Sequence, residues 1–320
     1  MRIVYMGTPE FAVAPLKELI AAGHEIVGVV TQRDKPKGRS GKMLPPPVKE
    51  EALKHGIEVF QPERMRDRES IEWLKDKLPD AVVVAAYGQI LTSEVLETPR
   101  YGCLNIHASL LPRWRGASPI QQAVIEGDKE SGVTIMLMDE GIDTGDILLT
   151  ERVAIEPYDT ADSLGKKLSL IGGPLIVRAL EMIKNGDITR ISQTGESTYA
   201  RMIHKKMGLI DFDRPADATE RLVRGMNPWP SAFTYIDGKM LKIWKCFVEK
   251  DESLVSEGVD ISAYNNGDIV KISGEYIYIK TGKNILVISE LQPEGKKRME
   301  TSAFLRGSRL ETGMKLGIGI

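Results

Sequence analysis

Short apolar runs alternate with amphipathic stretches through the first two hundred residues of the chain. Runs of this kind are typical of strands that are buried on both faces of a parallel sheet. Residues 11–22 and 68–78 lie between such runs and repeat their apolar positions at helical spacing. The alternation predicts an α/β domain with a doubly wound, mostly parallel, Rossmann-like sheet. The predicted strands of this kind are residues 2–6, 25–31, 81–86 and 103–107.

Two further strands and a long helix are predicted beyond residue 130. The strands cover residues 132–138 and 147–153, and a loop rich in aspartate joins them. Residues 160–184 have helical spacing, but the Gly-Gly-Pro sequence at 172–174 predicts an interruption there.

The first turn of the chain reads GTPEF at residues 7–11. It follows a strand, as a dinucleotide-binding turn does, but it lacks the second and third glycines that let a pyrophosphate approach the backbone. We therefore interpret Thr8 as the N-cap of the first helix and Pro9 as its first residue.

A change of pattern after residue 188 predicts a second domain. Residues 189–206 are polar and rich in turn-forming residues, as in a linker. Beyond a helical stretch at 216–224, short strands recur between Asp-Gly, Asn-Gly, Ser-Gly and Thr-Gly pairs, which indicates a small β-barrel or sandwich, and we expect a barrel of the OB type. We therefore expect an α/β domain over 1–188, a linker over 189–206 and an OB-like domain over 207–320.

Composition and charge narrow the class of protein. Of the 320 residues, 42% are hydrophobic and 28% are charged, which suits a sizeable core beneath a polar surface. No apolar stretch reaches the roughly 20 residues that span a bilayer. The formal net charge of -2 argues against a protein that coats nucleic acid, but leaves room for a local basic patch. Cys103 and Cys246 lie far apart without metal-ligand spacing, so we expect a reducing, cytoplasmic setting.

Candidate chemistry lies at the end of the run at 103–107. Asn105 and His107 stand two residues apart, and alternate side chains of a strand face the same side. With Asp143 from the aspartate-rich loop they supply an amide, an imidazole and a carboxylate, a set that suits acyl transfer to an amine. Asn105 could donate to the oxyanion, His107 could donate to it or move the proton, and Asp143 could orient the imidazole or accept a proton through water.

Structural interpretations of the same residues stay open on spacing alone. A histidine after an apolar strand is commonly a satisfied strand-end residue. Asp139, Asp143 and Asp146 could be turn formers beside glycines or could indicate a metal. The loop lacks EF-hand spacing and no further carboxylate-histidine cluster accompanies it, so we expect no metal.

Longer motifs around these residues carry a family resemblance. The chain resembles the folate-dependent formyltransferases over nearly its whole length. The resemblance implies that Asn105, His107 and Asp143 are catalytic and that 10-formyltetrahydrofolate donates a formyl group as cosubstrate. The matching motifs are NIHASLLPRWRGA at 105–117, DTGD at 143–146, GTPEF at 7–11, PKGR at 36–39, AYG at 86–88 and NPWP at 227–230.

The resemblance also implies a binding site for the folate. A flat pterin ring needs apolar walls and a few backbone donors and acceptors, which the segment SLLP and two loops at the sheet edge would supply. The residues implied are Ser109, Leu110, Leu111, Pro112, Ala86, Tyr87, Gly88, Asp139 and Gly141.

The second domain extends the resemblance to enzymes whose amine substrate is the methionine carried by initiator tRNA. Arg39 in the basic segment 33–49 matches the loop with which such enzymes read tRNA. Residues 207–320 hold 16 basic and 16 acidic residues, so attraction there must come from arrangement, and scattered surface charges are the alternative. The candidate tRNA contacts are Lys37, Arg39, Lys42, Lys205, Lys206, Lys245, Lys297 and Arg298.

Two aromatic residues of the second domain complete the set of expectations. Phe212 stands where the family often has tryptophan, and we expect it to be a packing anchor. Trp229 is expected to anchor the core or a domain interface rather than to stack on bases. A monomer is expected, because RNA must reach both domains.

Other functions fit parts of the pattern. A formyltransferase for a small amine, or a hydrolase that releases formate from the same folate, would use the same three polar residues. A non-catalytic RNA-binding protein with a degenerate enzyme domain belongs to a different class. The joint presence of Asn105, His107 and Asp143 argues against that last interpretation.

Overall fold

The computed structural model describes residues 1–37 and 41–317, and the chain divides into two compact units. The first unit comprises Met1–Pro119, Glu130–Ala154 and Leu164–Arg201. The domain and linker boundaries expected at 188 and 206 stay predictions. The second unit comprises Ile120–Lys129, Ile155–Ser163 and Met202–Ile320.

Short strands and helices alternate along the first unit, as the periodicity of the sequence predicts. The strands are β1 (Arg2–Gly7), β2 (Glu25–Val30), β3 (Lys35–Lys37), β4 (Lys42–Leu44), β5 (Val59–Phe60), β6 (Ala81–Ala85), β7 (Cys103–His107), β8 (Arg115–Gly116), β9 (Glu130–Leu137), β10 (Ile147–Ala154) and β11 (Tyr199–Ala200). The helices that lie wholly or partly in this unit are α1 (Val13–Ala21), α2 (Pro47–Lys54), α3 (Arg68–Asp76), α4 (Ser93–Glu97), α5 (Pro119–Glu126) and α6 (Ala161–Asn185).

One sheet organises the first unit, with the strand order β10-β9-β7-β6-β1-β2-β5. Strands β5, β2, β1, β6 and β7 run parallel, while β9 and β10 are antiparallel to their neighbours. Every residue of β6 and β7 is buried, because the helices cover both faces of the sheet. The predicted doubly wound, mostly parallel sheet is confirmed.

The register of β7 sets the position of its polar residues. Asn105 pairs with Val84 of β6 on one side and with Met136 of β9 on the other. His107 pairs with Thr134 of β9. Both residues therefore lie in the interior of the sheet, near the carboxyl ends of the parallel strands, where ligands bind in folds of this class.

The long helix α6 is continuous, so the interruption predicted at 172–174 is wrong. Pro174 has no N–H to donate to the carbonyl of Leu170, so that carbonyl loses its partner within the helix. Leu170 is exposed, and water can satisfy the carbonyl instead. Gly172 allows close packing on the sheet, since a Cβ there would lie 3.0 Å from Ile106 Cγ2. Among the described residues, no helix is both long and apolar enough to span a bilayer.

The turn after β1 also differs from the prediction. A short 3₁₀ helix, Glu10–Ala12, begins there with Pro9 at its N-cap, and no side chain caps it. Thr8 instead donates from Oγ1 to the carbonyl of Tyr87 at 3.2 Å and accepts from the backbone N–H of Gln32 at 3.2 Å. The hydroxyl thus joins three loops of the sheet edge, a tertiary role that local sequence does not reveal.

The second unit is mostly antiparallel. Its strands follow the order β12-β13-β16-β15-β14, and β17 pairs with β16. Its elements are α7 (Ala216–Gly225), β12 (Ala232–Ile236), β13 (Lys239–Glu249), α8 (Asp251–Ser256), β14 (Ile269–Ile272), β15 (Ile277–Lys280), β16 (Ile285–Pro293), β17 (Met299–Glu300) and α9 (Thr301–Leu305).

The C-terminal segment closes this sheet into a barrel. Gly317 exchanges two backbone hydrogen bonds of 3.0 Å with Tyr235 on the edge strand β12. Ile269, on the opposite edge strand β14, accepts from Gly313 and donates to Met314. The two edges are therefore bridged by one segment, and the predicted small β-barrel is confirmed.

The barrel core contains one of the two aromatic residues that were expected to be anchors. Phe212 is buried in the core cluster, as predicted. Trp229 is 53% exposed, so its assignment as a buried anchor is wrong. It lies between Pro228 and Pro230 in a turn, and that turn carries the indole on the surface.

Candidate active site

Asn105, His107 and Asp143 lie together in the first unit. Asn105 Nδ2 donates to Asp143 Oδ1 at 3.2 Å, and His107 Nδ1 lies 3.6 Å from Asp143 Oδ2. Asn105 and His107 are buried, and the Asp143 side chain is 15% exposed. The sheet thus brings the loop carboxylate to the two side chains that share a face of β7.

The environment of His107 determines which ring nitrogen carries hydrogen. Its Nε2 lies 2.9 Å from the carbonyl oxygen of Trp114. A carbonyl only accepts, so Nε2 is the protonated nitrogen of the neutral ring. Nδ1, which then has the free lone pair, faces the Asp143 carboxylate.

Backbone groups fix the position of Asp143. Oδ2 accepts from the N–H of Gly116 at 2.7 Å, and the residue has a φ of +52°. Aspartate tolerates this left-handed region better than most residues do. Gly116 has a φ of +106°, and a Cβ there would lie 2.7 Å from the carbonyl oxygen of Ala200, so the close approach requires glycine.

Residues 191–200, which we call the strap, belong to the predicted linker. The strap packs along the loops that carry Asp143 and Gly116. Ile191 exchanges backbone hydrogen bonds with Ile147, and β11 pairs with β8 in parallel. Gln193 Nε2 donates to the carbonyls of Asp143 at 2.9 Å and Gly145 at 2.8 Å. Nothing in the sequence distinguishes Gln193 from other polar residues of a turn-rich stretch, so sequence reasoning missed it.

The SLLP segment is held from inside. Thr134 Oγ1 donates to the carbonyl of Ser109 at 2.7 Å and accepts from the N–H of Leu111 at 3.2 Å. The Ser109 hydroxyl donates to the carbonyl of Arg113 at 2.6 Å. Ser109 and Leu111 are buried, whereas Leu110 and Pro112 are partly exposed. A ligand at this segment would therefore meet the backbone and the partly exposed pair.

Residues 86–88 form a turn after β6 at the same edge of the sheet. Ala86 and Gly88 have φ values of +47° and +88°, and the carbonyl of Tyr87 accepts from Thr8 and Gln32. The Tyr87 hydroxyl is buried without a hydrogen-bond partner, and burial raises its pKa.

The aspartate-rich loop supplies its own hydrogen bonds. Asp139 Oδ1 accepts from the N–H of Gly141 at 3.0 Å and from Thr144 Oγ1 at 2.7 Å. Ser93 donates to Glu140, which connects this loop to the segment after residue 88. Ile90 and Ile142, one in each segment, are exposed apolar side chains.

The basic hairpin β3-β4 is described in part. Arg39 lies outside the described residues, and for Lys37 and Lys42 the structure gives the backbone pairing. At the base of the hairpin, Lys49 Nζ donates to both carboxylate oxygens of Asp34, at 2.8 and 3.0 Å. The ammonium group of Lys49 is therefore already paired with a carboxylate of the same unit. This contact holds the pKa of Asp34 below its usual value.

The candidate tRNA contacts of the second unit fall into two groups. Lys205 and Lys206 lie on the 3₁₀ helix Lys205–Gly208 and are exposed, as is Lys297. The other group is paired with one carboxylate. Lys245 Nζ lies 3.0 Å from Glu290 Oε2, and Arg298 donates to both oxygens of Glu290 while its guanidinium lies over the ring of Trp244.

The titratable side chains that are described form no group suited to a metal ion: no three His, Cys, Asp or Glu residues cluster together in that part of the chain. Cys103 is a buried strand residue, as expected, and burial raises the pKa of its thiol to about 12.

Comparison with known proteins decides the family. Residues 1–180 match the formyl transferase family, and residues 202–309 match the formyl transferase C-terminal domain. The methionyl-tRNA formyltransferase of Lachnospira eligens is 52% identical over 318 residues, which cover 99% of this chain and 100% of the relative. That of Agathobacter rectalis is 49% identical, with 98% of each chain covered. The chain belongs to the methionyl-tRNA formyltransferase family.

More distant members of the fold appear among solved structures. HypX from Aquifex aeolicus in complex with tetrahydrofolic acid has a TM-score of 0.64 at 16% identity, over 98% of this chain and 50% of HypX. An N-formyltransferase from Helicobacter canadensis, in complex with folinic acid and dTDP-3-aminofucose, has a TM-score of 0.63 at 19% identity, over 93% and 99%. At these identities the comparison shows only that the chain shares the fold of these two proteins.

Proposed function

We propose that the chain transfers the formyl group of 10-formyltetrahydrofolate to the free amino group of the methionine on initiator methionyl-tRNA, for translation initiation. The observation that carries the proposal is that Asp143 meets both other side chains: Oδ1 lies 3.2 Å from Asn105 Nδ2, and Oδ2 lies 3.6 Å from His107 Nδ1. An amide donor next to an imidazole-carboxylate pair suits a reaction in which negative charge grows on an oxygen while a nitrogen loses its proton.

Asn105 is suited to stabilise the developing charge. One Nδ2 hydrogen is used by Asp143 Oδ1, which fixes the amide plane. The second hydrogen is available for the formyl oxygen. Because the residue is buried, this donor is held in place before the substrate arrives, as electrostatic stabilisation requires.

His107 and Asp143 are suited to handle the proton of the attacking amine. With Nε2–H engaged by the Trp114 carbonyl, the basic nitrogen is Nδ1. When Nδ1 takes a proton, the resulting imidazolium lies between a carbonyl and a carboxylate, and both stabilise its charge. That positive charge would also support the oxyanion beside Asn105.

The loops at this edge of the sheet fit a flat folate ring. As the amine nitrogen bonds to the formyl carbon, the bond from that carbon to N10 of the folate would break, and N10 would leave with the proton that His107 takes from the amine. Ile90 and Ile142 offer exposed apolar surface, and residues 86–88 and 139–141 offer backbone groups in turns that are already hydrogen-bonded. Leu110 and Pro112 would complete the wall. A site with apolar walls and few polar groups is typical for such a ligand.

Contacts with tRNA are proposed for the exposed cations. Lys205, Lys206 and Lys297 are exposed and can meet phosphates. Arg39, with Lys37 and Lys42, belongs to the basic sequence segment 33–49, which the resemblance assigns to tRNA. Lys245 and Arg298 would have to exchange Glu290 for a phosphate. These two are therefore the weaker candidates of the set.

The test supplies 10-formyltetrahydrofolate and methionyl-tRNA to the purified chain and measures formyl-methionine and free formate. Formyl-methionyl-tRNA at a rate that exceeds formate release is the expected result. Formate alone would identify a hydrolase, and formylation of a small amine without use of tRNA would identify the other alternative. Binding of tRNA without either product would indicate a non-catalytic RNA-binding protein.

A further inference from the structure

We infer that Gln193 is a positioning residue that holds Asp143 in place for proton handling, an inference that rests on the proposed function. Gln193 belongs to the strap and is partly buried. Its Nε2 donates to the carbonyl oxygens of Asp143 and Gly145, which flank Thr144 on either side. The amide thus joins the two ends of the turn that carries the carboxylate.

The backbone of Asp143 needs such support. Its φ of +52° lies in the left-handed region, which a residue other than glycine keeps only where the surrounding structure holds it there. If the turn relaxed, the Cα–Cβ direction would change, and the carboxylate would leave both Asn105 and His107. Hydrogen bonds to the carbonyls of residues 143 and 145 oppose that relaxation directly.

The oxygen of the Gln193 amide explains why an amide is required at this position. Oε1 accepts from Arg115 Nε at 3.0 Å and from Arg115 Nη2 at 2.8 Å. Arginine only donates and carbonyls only accept, so the orientation of the amide is fixed from both sides. Among side chains of this length, only glutamine carries both an acceptor oxygen and an NH2 group with two hydrogens to donate.

The strap supports His107 as well as Asp143. Thr198 Oγ1 accepts from the N–H of Trp114 at 2.9 Å, and the carbonyl of Thr198 accepts from the N–H of Arg115 at 2.9 Å. The carbonyl of Trp114 is the partner of His107 Nε2. One segment therefore fixes the partners on both sides of the imidazole, with Gln193 as its contact to the carboxylate loop.

The first variant to measure is Gln193→Glu in the full chain. It keeps the side-chain length and the Arg115 contact, but it sets an ionised oxygen against two carbonyl oxygens. We expect kcat for formyl transfer to fall on the order of 10- to 100-fold at neutral pH, as misplacement of a catalytic group by about 1 Å can do. KM for methionyl-tRNA should change less than kcat. Part of the loss should be recovered at lower pH, where a protonated glutamic acid can donate to one carbonyl.

A double-mutant cycle separates positioning from general destabilisation. In an Asp143→Asn background the effect of Gln193→Glu should shrink to within about twofold, because residues that act through each other are not additive. Gln193→Ala, which removes the same donors without adding charge, should behave alike in the cycle. Glu196→Gln is the matched control: it makes the reverse exchange on the same strap at an exposed position and should keep wild-type kcat.

The outcomes are distinct. Wild-type kcat for both Gln193 variants, or a loss of the same factor with and without the Asp143 carboxylate, would overturn the positioning role and leave the proposed function standing. A wild-type chain that forms no formyl-methionyl-tRNA would overturn the proposed function and this inference with it. Thermal unfolding of each variant identifies any loss of kcat that comes from a loss of folded protein.

Discussion

Each unit contains a carboxylate that is largely withdrawn from solvent, and the two are surrounded in opposite ways. Asp143 in the first unit accepts from a backbone N–H and a neutral amide, and it faces the titratable ring of His107. Glu290 in the second unit accepts from Arg298 and Lys245, whose charges are permanent at neutral pH. The side chain of Asp143 is 15% exposed and that of Glu290 is 10% exposed, so the two carboxylates differ in their partners and not in their burial.

The contrast shows how environment divides one functional group between two roles. The hydrogen bond from Arg298 is the main reason that the pKa of Glu290 lies below its usual value, and its charge is therefore locked. A locked charge can hold strands together but is a poor proton acceptor. Asp143 has neutral donors and a partner that can itself change charge, an arrangement that suits proton transfer.

The largest expected effect separates the two carboxylates by activity. Asp143→Asn should lower kcat by on the order of 100-fold or more, the range for loss of a group that handles a proton. Asparagine tolerates the positive φ of the site, so folding should be preserved. Single-turnover formylation with saturating methionyl-tRNA measures the effect.

Asp146→Asn provides the control within the same loop, since Asp146 contacts the strap through Ser192 rather than through the imidazole site. Near-normal turnover of Asp143→Asn, or an equal loss in Glu290→Gln, would remove the distinction drawn between the two carboxylates.

Sequence alone predicts the sheet of the first unit and part of its site, for identifiable reasons. The apolar runs that become β6 and β7 are continuous, so their burial follows from composition. Asn105 and His107 are on one strand, and their common face follows from the period of two. Gln193 and Thr8 act across 50 and 79 residues of sequence, and no local pattern reports contacts of that kind.

The two errors have different physical origins. The Gly-Gly-Pro sequence indicated a break in α6, but Gly172 packs on Ile106 and Leu170 is exposed, so a continuous helix is acceptable. There tertiary context overrides a preference that is local to the sequence. Trp229 was expected to anchor the core or a domain interface, yet it lies in a surface turn between two prolines.

The next effect concerns Arg39 in the basic segment 33–49. Arg39→Ala should lower kcat/KM for methionyl-tRNA about tenfold, because a lost arginine contact with a base costs about 1–3 kcal/mol. Initial rates over a range of tRNA concentrations measure it. Equal tRNA use by wild type and variant at moderate salt would identify the segment as a solvated basic loop without a role in tRNA binding. Lys35→Ala is a control within the same segment.

A smaller effect tests the grouping of cations in the second unit. Lys297→Ala should weaken tRNA binding a few-fold and reduce the slope of log K against log salt by about 0.7–0.9, the value for one phosphate contact. Arg298→Ala should change the slope less, because Glu290 already neutralises the guanidinium. Filter binding at several salt concentrations distinguishes the two. Equal slopes for both variants would mean that Arg298 leaves Glu290 for the RNA.

The smallest expected effect is the pH dependence of stability that Glu290 confers. Its pKa is lowered in the folded chain relative to the ordinary 4.5, so its contribution is fully present above pH 4.5 and is lost as pH falls through the folded pKa. Glu290→Gln should therefore reduce the free energy of unfolding by about 1 kcal/mol at pH 7, the upper range for a partly exposed ion-pair network. The difference between wild type and variant should disappear in acid. Thermal unfolding at a series of pH values from 7 downward measures it, with Glu294→Gln as the exposed control. A difference that stayed constant over the whole series would show that packing of the side chain, and not its locked charge, is what Glu290 contributes.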